Sequence, residues 1–264
     1  MGGTPSWALI TGGNRGLGLE VARKLVAAGR PVIITARDAA AGEAAAAQLR
    51  AEAAGGAGVE VMALDAASRD SIQALAAEVA ARFAGQISLL VNNAGIYLGP
   101  WDAPSHASVI STNVDGAVGV ALALLPSLAD GGRVVNVASG LGMLGMLTPD
   151  YADPIKAAPT LDAARAAAAR FDAASPLPAA NSMCTQIMAS DPAFAAKRVS
   201  SVAVCPGWCA TDMGNASAAV LQTAPPRSAA QGADSILMAA DAEVAPSGSF
   251  SQDGKLLDWT GKPF

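Results

Sequence analysis

The sequence predicts an α/β fold in which one doubly wound parallel sheet of about seven strands carries helices on both faces. Short β-branched runs alternate with longer stretches rich in Ala and Leu, and this alternation is typical of βαβ units. The strand runs are apolar throughout, as expected of parallel strands that are covered on both sides. No stretch rich in Gly, Ser and Pro divides the 264 residues. We therefore expect a single domain, residues 1–264.

The predicted strands and helices follow one another in regular order. Ser68 precedes a periodic run, as an N-cap residue does, and Gly29 follows Ala28 in the position of a C′ glycine. The predicted strands are Trp7–Thr11, Pro31–Thr35, Val59–Ala63, Ile87–Val91, Arg133–Val137 and Val199–Cys205. The predicted helices are Leu17–Ala28, Ala39–Ala54, Ser68–Phe83 and Ser105–Leu128.

The connection between the fifth and sixth strands is longer than a crossover requires. About 60 residues separate Val137 from Val199, whereas a crossover needs a dozen or more. We interpret residues 141–180 as an insertion near the mouth of the sheet, with one helix over Thr160–Ala174. Pro154 is expected to disfavour a helix around itself.

Composition excludes several classes of protein. Hydrophobic residues make up 52% and charged residues 15% of the chain, which excludes a disordered chain. The net charge of −5 makes binding to nucleic acid through phosphate neutralisation unexpected. One histidine and three cysteines provide neither a disulfide framework nor a tetrahedral zinc set. We predict no metal site, and reduced thiols at Cys184, Cys205 and Cys209.

The sequence also favours a cytoplasmic protein. The first residues, MGGTPSWALIT, lack a basic region followed by a long apolar region, so they do not resemble a secretory signal. The longest uncharged stretch, Gly116–Ala129, has 14 residues, and a membrane-spanning helix needs about 20. We therefore expect no membrane partner.

A glycine-rich loop follows the first predicted strand and opens the first helix. Glycines at this turn let the backbone approach a pyrophosphate, and the helix N-terminus supplies free N–H groups. The spacing is G-x-x-x-G-x-G rather than the commoner G-x-G-x-x-G, and the simplest alternative is a tight turn without a ligand. The loop predicts dinucleotide binding by Gly12, Asn14, Arg15, Gly16, Leu17 and Gly18.

The end of the second strand indicates which dinucleotide. Sites for NAD carry an acidic residue here that bonds the ribose 2′-hydroxyl, but this chain has Ala36 followed by Arg37. An arginine can pair with a 2′-phosphate through charge-assisted hydrogen bonds, and Arg15 adds a second positive charge. These residues predict NADP(H), unless both arginines lie on the surface without a ligand.

Several further segments, taken with this loop, resemble the short-chain dehydrogenase/reductase family. Asp65 matches the family's adenine-binding aspartate, Asn113 its helix asparagine, and Ser139 its catalytic serine. The resemblance implies catalytic roles for Ser139 and Asn113, and a last strand and turn near residues 250–255. It also implies contacts to the cofactor from Leu64, Asp65, Asn92, Ala94, Gly95, Pro206, Gly207 and Thr211, within the segments LD, NNAG and CPGWCAT.

The long insertion, ITARD and CPGWCATDM are most similar to the family's monomeric carbonyl reductases. The resemblance implies NADPH-dependent reduction of an aldehyde, ketone or quinone by a monomer. The apolar stretches Leu141–Pro178, Ile96–Trp101 and the one after Thr211 suggest a small lipophilic carbonyl substrate, and Tyr97 is expected to line the substrate side.

The family's catalytic Tyr-x-x-x-Lys pair is missing. The family pattern places it near residues 180–186, where this chain reads ANSMCTQ. Residues 186–192 resemble the end of the family's catalytic helix, so its beginning is absent. Because the tyrosine is the family's proton donor and the lysine lowers its pKa, the resemblance predicts fold and cofactor better than turnover.

Four alternatives follow from this gap. Tyr151 and Lys156 could substitute for the pair, but residues five apart diverge by roughly 140° around a helix and do not share a face. The gap could be an error in the predicted transcript. The chain could also be a non-catalytic NADP(H)-binding protein, or one that does not fold stably. His106, the one histidine, is expected in a loop or at a helix start, away from the chemistry.

Overall fold

The structure, a computed structural model, describes residues 6–97, 102–140, 148–170, 185–186 and 188–258. Its main sheet has eight strands in the order β10-β9-β6-β5-β4-β1-β2-β3, and a second sheet pairs β7 with β8. The strands are β1 (Trp7–Ile10), β2 (Val32–Ala36), β3 (Val59–Ala63), β4 (Ile87–Asn92), β5 (Leu128–Val137), β6 (Ser200–Val204), β7 (Cys209–Ala210), β8 (Arg227–Ser228), β9 (Phe250–Gln252) and β10 (Lys255–Leu257).

The predicted fold class is confirmed. Seven strands of the main sheet are parallel to their neighbours, and β10 joins the edge antiparallel to β9. The helices are α1 (Gly16–Ala27), α2 (Ala39–Glu52), α3 (Arg69–Phe83), α4 (Ala103–Val109), α5 (Ala117–Leu124), α6 (Pro149–Lys156), α7 (Leu161–Ala168), α8 (Pro192–Ala196), α9 (Asp212–Leu221) and α10 (Ala229–Ala239).

Two hydrophobic cores lie on opposite faces of the sheet. One is built from α3, α5, α6 and α7, with Leu90 and Val134 from the strands. The other is built from α1, α2 and α10, with Ile10 and Val91 from the strands. Adjacent residues of one strand point to opposite faces, so the continuous apolar runs in the sequence are explained by burial on both sides.

Local capping signals behave as the sequence predicts. The Ser68 hydroxyl accepts a hydrogen bond from the Ser71 N–H at 3.3 Å and begins α3. Gly29 has a φ of +79° just beyond α1, a conformation that favours glycine.

The predicted helix over Ser105–Leu128 is a chain of three helical forms. It begins at Ala103 and widens to a π-helical turn over Ile110–Gly116, which includes Asn113. It ends in a tight turn at Leu125–Ser127, and β5 begins directly afterwards at Leu128 rather than at Arg133. The earlier start arises because Leu128 pairs with Ile87 and Arg133 pairs with Leu89, with a register shift between the two pairs.

The helical stretch Ala103–Ser127 is long and apolar enough to cross a membrane, judged by length and composition. Half of its apolar window is buried inside the protein, and side chains such as Val114 and Leu124 pack in the core beside the sheet. A core helix of a globular domain passes the same test, and the absence of a membrane partner stays a prediction.

The expectation that Pro154 disfavours a helix around itself is wrong. Pro154 lies inside α6, although proline has no N–H to donate to the carbonyl four residues earlier. That carbonyl belongs to Asp150, and it accepts a hydrogen bond from Arg170 Nη2 at 2.9 Å instead. An arginine that follows α7 thus supplies the donor that the proline lacks.

The described part of the insertion forms α6 and α7. Thr160 caps α7 by accepting from the Ala163 N–H at 3.2 Å, and the helix ends at Ala168. The rest of the predicted helix, residues 171–174, lies outside the described residues. So does most of the segment near 180–186 in which the family's catalytic pair was sought.

Candidate active site

The segments singled out in the sequence follow the carboxyl ends of neighbouring parallel strands. Because these ends meet at one edge of a parallel sheet, the sheet order brings the segments together. The chain reverses its direction of winding between β1 and β4, which opens a crevice there. The segments are residues 11–18 after β1, 37 after β2, 64–65 after β3, 92–95 at the end of β4, 139 after β5 and 205–211 after β6.

The glycine loop leaves the N-terminus of α1 open to an anion. Gly12 has a φ of +62° and Gly16 a φ of +55°, so both use backbone conformations that favour glycine. Arg15 stands at the N-cap of α1 without a capping side chain, and the first turn has no acidic residue. The unpaired N–H groups of this turn suit a phosphate.

Asn93 and Thr11 hold the glycine loop to the end of β4. Asn93 Nδ2 donates to Thr11 O at 2.9 Å and Gly12 O at 3.2 Å. The Thr11 hydroxyl accepts from the N–H groups of Asn93 and Ala94, both at 2.9 Å. A Cβ on Gly18 would lie 2.5 Å from Asn93 Nδ2, so glycine is required there. Sequence reasoning missed these two positioning residues, although both stand inside recognised motifs.

Two arginines flank this crevice. Arg37 is exposed directly after β2, and within the described ranges it has no ion-pair partner. Arg15 is also exposed, and its Nη1 lies 3.0 Å from Asp212 Oδ2. Asn14 is half-buried in the glycine loop. Leu17 packs against α10, since a Cβ added to Gly232 would lie 2.6 Å from Leu17 Cδ2.

The predicted adenine side lies after β3. Leu64 is buried, and its N–H donates to Ala36 O at 3.0 Å. Asp65 is exposed, and its Oδ1 accepts from the Ala67 N–H at 3.0 Å. Ser71 fixes the same turn by accepting from the Asp65 N–H at 2.8 Å.

Asn92 points into the protein rather than into the crevice. Its side chain is 5% exposed, and Nδ2 donates to Ala117 O at 3.0 Å and to Asn136 Oδ1 at 2.9 Å. Asn136 Nδ2 in turn donates to Thr185 Oγ1 at 2.9 Å. These contacts link the sheet to Thr185, which lies in the segment 180–186 where the family's catalytic pair was sought. Cofactor contact by Asn92 stays a prediction.

Asn113 holds the backbone that follows β4. Its Oδ1 accepts from the Ile96 N–H at 2.8 Å, and its Nδ2 donates to Ile96 O at 2.9 Å. Gly95 is exposed and faces this amide, with Asn113 Oδ1 3.3 Å from where a Cβ would stand. The side chain therefore positions the edge of the crevice beside Ala94 and Gly95. Its catalytic role stays a prediction.

Ser139 is exposed two residues after β5. The next residue, Gly140, donates its N–H to Cys205 Sγ at 3.1 Å, and Gly207 N lies 3.4 Å from the same sulfur. One thiol thus joins the serine loop to the loop after β6. Burial raises the pKa of Cys205, which keeps it a neutral thiol.

An ion pair supports the loop over Pro206–Thr211. Pro206 is buried, and Gly207 has a φ of +76°. A Cβ added to Gly207 would lie 2.7 Å from Arg227 Cδ. Arg227 makes two hydrogen bonds of 2.7 Å to the carboxylate of Asp253, and these bonds hold the pKa of that carboxyl below its ordinary value. No sequence signal pointed to this pair, because its members are far apart in the chain.

A family comparison decides the affiliation of the chain. The profile described as short chain dehydrogenase matches residues 6–152, which is more than half of the sequence. The chain belongs to the short-chain dehydrogenase family.

Individual members of the family are more distant. A (+)-neomenthol dehydrogenase of Arabidopsis thaliana is 30% identical in an alignment of 176 residues, and the match covers 58% of this chain and 60% of that protein. Salutaridine reductase from Papaver somniferum has 20% identity and a TM-score of 0.74, covering 94% of this chain and 99% of its own. A Burkholderia cenocepacia short-chain dehydrogenase in complex with NADP has 24% identity and a TM-score of 0.70, covering 94% and 96%.

Tyr151 does not supply the family's missing phenol in this short-chain dehydrogenase. Its side chain is 2% exposed, and its hydroxyl donates to Ala168 O at 2.7 Å within the insertion. His106 Nε2 lies 3.4 Å from the same hydroxyl. As expected, His106 lies at a helix start, in the first turn of α4, where its backbone N–H donates to Asp102 O at 2.9 Å. Its side chain is buried, and burial lowers its pKa. Both groups therefore belong to the packing of α6 and α7.

Proposed function

We propose that the chain binds NADP(H) in the crevice beside the glycine loop and uses it to reduce a lipophilic carbonyl. The observation that carries the proposal is the open N-terminus of α1, with Arg15 and Arg37 exposed beside it. A pyrophosphate suits the helix N-terminus, and a 2′-phosphate suits two guanidinium groups. The NADP complex of the Burkholderia protein supports this choice of cofactor.

The residues present fit a dinucleotide. The glycine loop keeps Cβ atoms away from the helix N-terminus, and no carboxylate occupies the first turn of α1. Asp65 is exposed after β3 with one carboxylate oxygen committed to the Ala67 N–H, so it can bond an adenine amino group. Thr211 and Pro206–Gly207 stand on the far side of the crevice, where the family's nicotinamide-binding segment lies in sequence.

The proposed chemistry places Ser139 at the reacting carbonyl. When bound, NADPH supplies a hydride. The Ser139 hydroxyl donates a hydrogen bond to the carbonyl oxygen and stabilises the negative charge that develops there. Asn113 fixes the Ile96 backbone at the neighbouring strand end, which keeps the substrate side of the crevice rigid.

The missing pair lowers the expected rate. A positioned general acid contributes typically 10²- to 10⁴-fold, and Tyr151 is committed to Ala168 O. We expect slow turnover with a proton from solvent. The name of the Arabidopsis relative refers to a cyclic secondary alcohol, and this supports a cyclic ketone as the substrate class.

We also propose a cytoplasmic monomer. The described insertion helices lie against the α5 face of the sheet, and Arg165 on α7 contacts Asp115 in the π-helical turn at 2.6 Å. This placement covers the helix face that a second subunit would need. Sedimentation of the purified protein at micromolar concentration tests the monomer.

One observation favours a second function, NADP(H) binding without turnover. The buried hydroxyl of Tyr151 and the lowered pKa of buried His106 remove two groups that could have acted as proton donors. A protein of this kind would bind the cofactor and respond to its concentration.

NADPH oxidation at 340 nm in the presence of a cyclic ketone separates the two functions. The first function predicts slow ketone-dependent oxidation that Ser139→Ala reduces at least about tenfold. Ser108→Ala is the matched control, because Ser108 is an exposed serine whose hydroxyl bonds the nearby Pro104 O at 3.0 Å. Tight NADPH binding without any ketone-dependent oxidation would support the second function instead.

A further inference from the structure

Asp212 faces the glycine loop from the opposite side of the crevice. It is the first residue of α9, and its Oδ2 lies 3.0 Å from Arg15 Nη1. The preceding residue, Thr211, is close to the same loop, because a Cβ on Gly16 would lie 3.4 Å from Thr211 Cγ2. The start of α9 and the start of α1 therefore meet beside the proposed phosphate site.

Asp212 is not needed to cap its own helix. The Thr211 hydroxyl is the N-cap of α9 and accepts from the Gly214 N–H at 3.2 Å. The Asp212 side chain is 80% exposed, so it contributes little packing. Its distinguishing contact is the one to Arg15.

We propose that Asp212 tunes the preference for the phosphorylated dinucleotide by competing for Arg15. This inference rests on the proposed NADP(H) site. A guanidinium bound to Asp212 at 3.0 Å is partly neutralised and has one donor occupied, so it attracts a 2′-phosphate less strongly. Asp212 thereby weakens binding of the 2′-phosphate, whereas Arg37, which has no ion-pair partner within the described ranges, provides the constant attraction.

The competition is modest in size. Arg15 and Asp212 are 68% and 80% exposed, and exposed ion pairs are weakened by water and salt. The effect of Asp212 is therefore to adjust affinity and not to block the site. It should be largest at low ionic strength.

Calorimetric titration with 2′,5′-ADP, which carries the 2′-phosphate but no nicotinamide, tests the proposal independently of turnover. Asp212→Asn is expected to lower the dissociation constant of 2′,5′-ADP by about three- to fivefold at low salt. The dissociation constant of 5′-ADP should change by less than about twofold. Asp130→Asn is the matched control, since Asp130 forms an exposed pair with Arg198 at 3.6 Å before the sixth strand. A change below twofold for 2′,5′-ADP, or equal tightening of both ligands, would overturn the proposal.

The Arg15→Ala background tests whether Asp212 acts through Arg15. In that background, Asp212→Asn should no longer tighten the binding of 2′,5′-ADP. If it tightens the ligand as much as before, the carboxylate acts by direct repulsion and the competition is disproved.

The same titrations separate this inference from the proposed function. If the unaltered protein binds 2′,5′-ADP more tightly than 5′-ADP but Asp212→Asn changes nothing, only the role of Asp212 fails. If the unaltered protein binds neither ligand, both the NADP(H) site and the inference are disproved.

Discussion

Single residues in this chain show how a buried polar group takes its properties from its neighbours. The phenol of Tyr151 gives its one proton to Ala168 O at 2.7 Å. A hydrogen bond between the phenol and His106 Nε2, 3.4 Å away, therefore requires the imidazole to donate. Burial lowers the pKa of this imidazole, and this favours its neutral form inside the protein.

Stability should fall in mild acid because of His106. Burial lowers its pKa below the ordinary value of 6.5, so the unfolded chain binds the proton more readily than the folded one. The free energy of unfolding is thus at its full value above pH 6.5 and decreases as the pH falls, by at most about 1.4 kcal/mol per pH unit. Urea unfolding between pH 7.5 and 5.5 measures this slope.

The variant His106→Gln provides the control for that slope. Because His106 is the one histidine in the chain, the variant should lose most of the pH dependence between 5.5 and 6.5. An equal slope in the variant and the unaltered protein would contradict the assignment to His106.

Tyr151→Phe separates a packing role from a catalytic one. Removing the hydroxyl leaves Ala168 O without this donor, so we expect unfolding free energy to fall by about 1–3 kcal/mol. NADPH affinity and turnover should not change. Tyr97→Phe is the control for stability, since that side chain is 49% exposed. Loss of turnover in folded Tyr151→Phe protein would restore the substitute pair.

At the scale of elements, the glycine loop depends on its contact with the end of β4. A Cβ on Gly18 would lie 2.5 Å from Asn93 Nδ2 and 2.6 Å from Gly12 O. Gly18→Ala should therefore displace the loop and weaken NADPH binding at least about tenfold. It should also lower the free energy of unfolding by about 1–3 kcal/mol. Cofactor fluorescence titration and urea unfolding measure the two effects.

A second helical glycine serves as the control for Gly18. A Cβ added to Gly119 in α5 would lie 3.2 Å from Ile72 Cδ1, which is the flexible end of a side chain. Gly119→Ala should leave NADPH binding intact and change stability by less than about 1 kcal/mol. Equal losses in both variants would show that the Gly18 effect is not specific to the loop.

Elements specified by adjacent residues were predictable from the sequence. The glycine loop, the Ser68 cap and the buried parallel strands each have a local signal, and the strand order then brings the site segments to one edge. Elements that depend on distant partners were not predictable. Inside α6, Arg170 rather than Pro154 donates to Asp150 O, and the Arg227–Asp253 pair lies against Gly207 in the Pro206–Thr211 loop.

For the whole molecule, net charge and local charge oppose each other. The chain carries −5, which repels an anionic cofactor at long range. Salt screens that repulsion over about 8–10 Å, so binding depends on Arg15, Arg37 and the α1 N-terminus at short range. We therefore expect cofactor selectivity to reside in these few groups rather than in the overall charge.

The most direct test of this account is the dissociation constant of NADPH and of NADH for the unaltered protein and for Arg37→Ala. We predict that NADPH binds at least about tenfold more tightly than NADH, since a charge-assisted pair contributes about 1.5–3 kcal/mol. Arg37→Ala should weaken NADPH binding at least about tenfold and NADH binding less than about twofold. The control variant Arg198→Ala should change the affinity for neither cofactor. Equal affinity for both cofactors, or no effect of Arg37→Ala, would contradict the NADP(H) site.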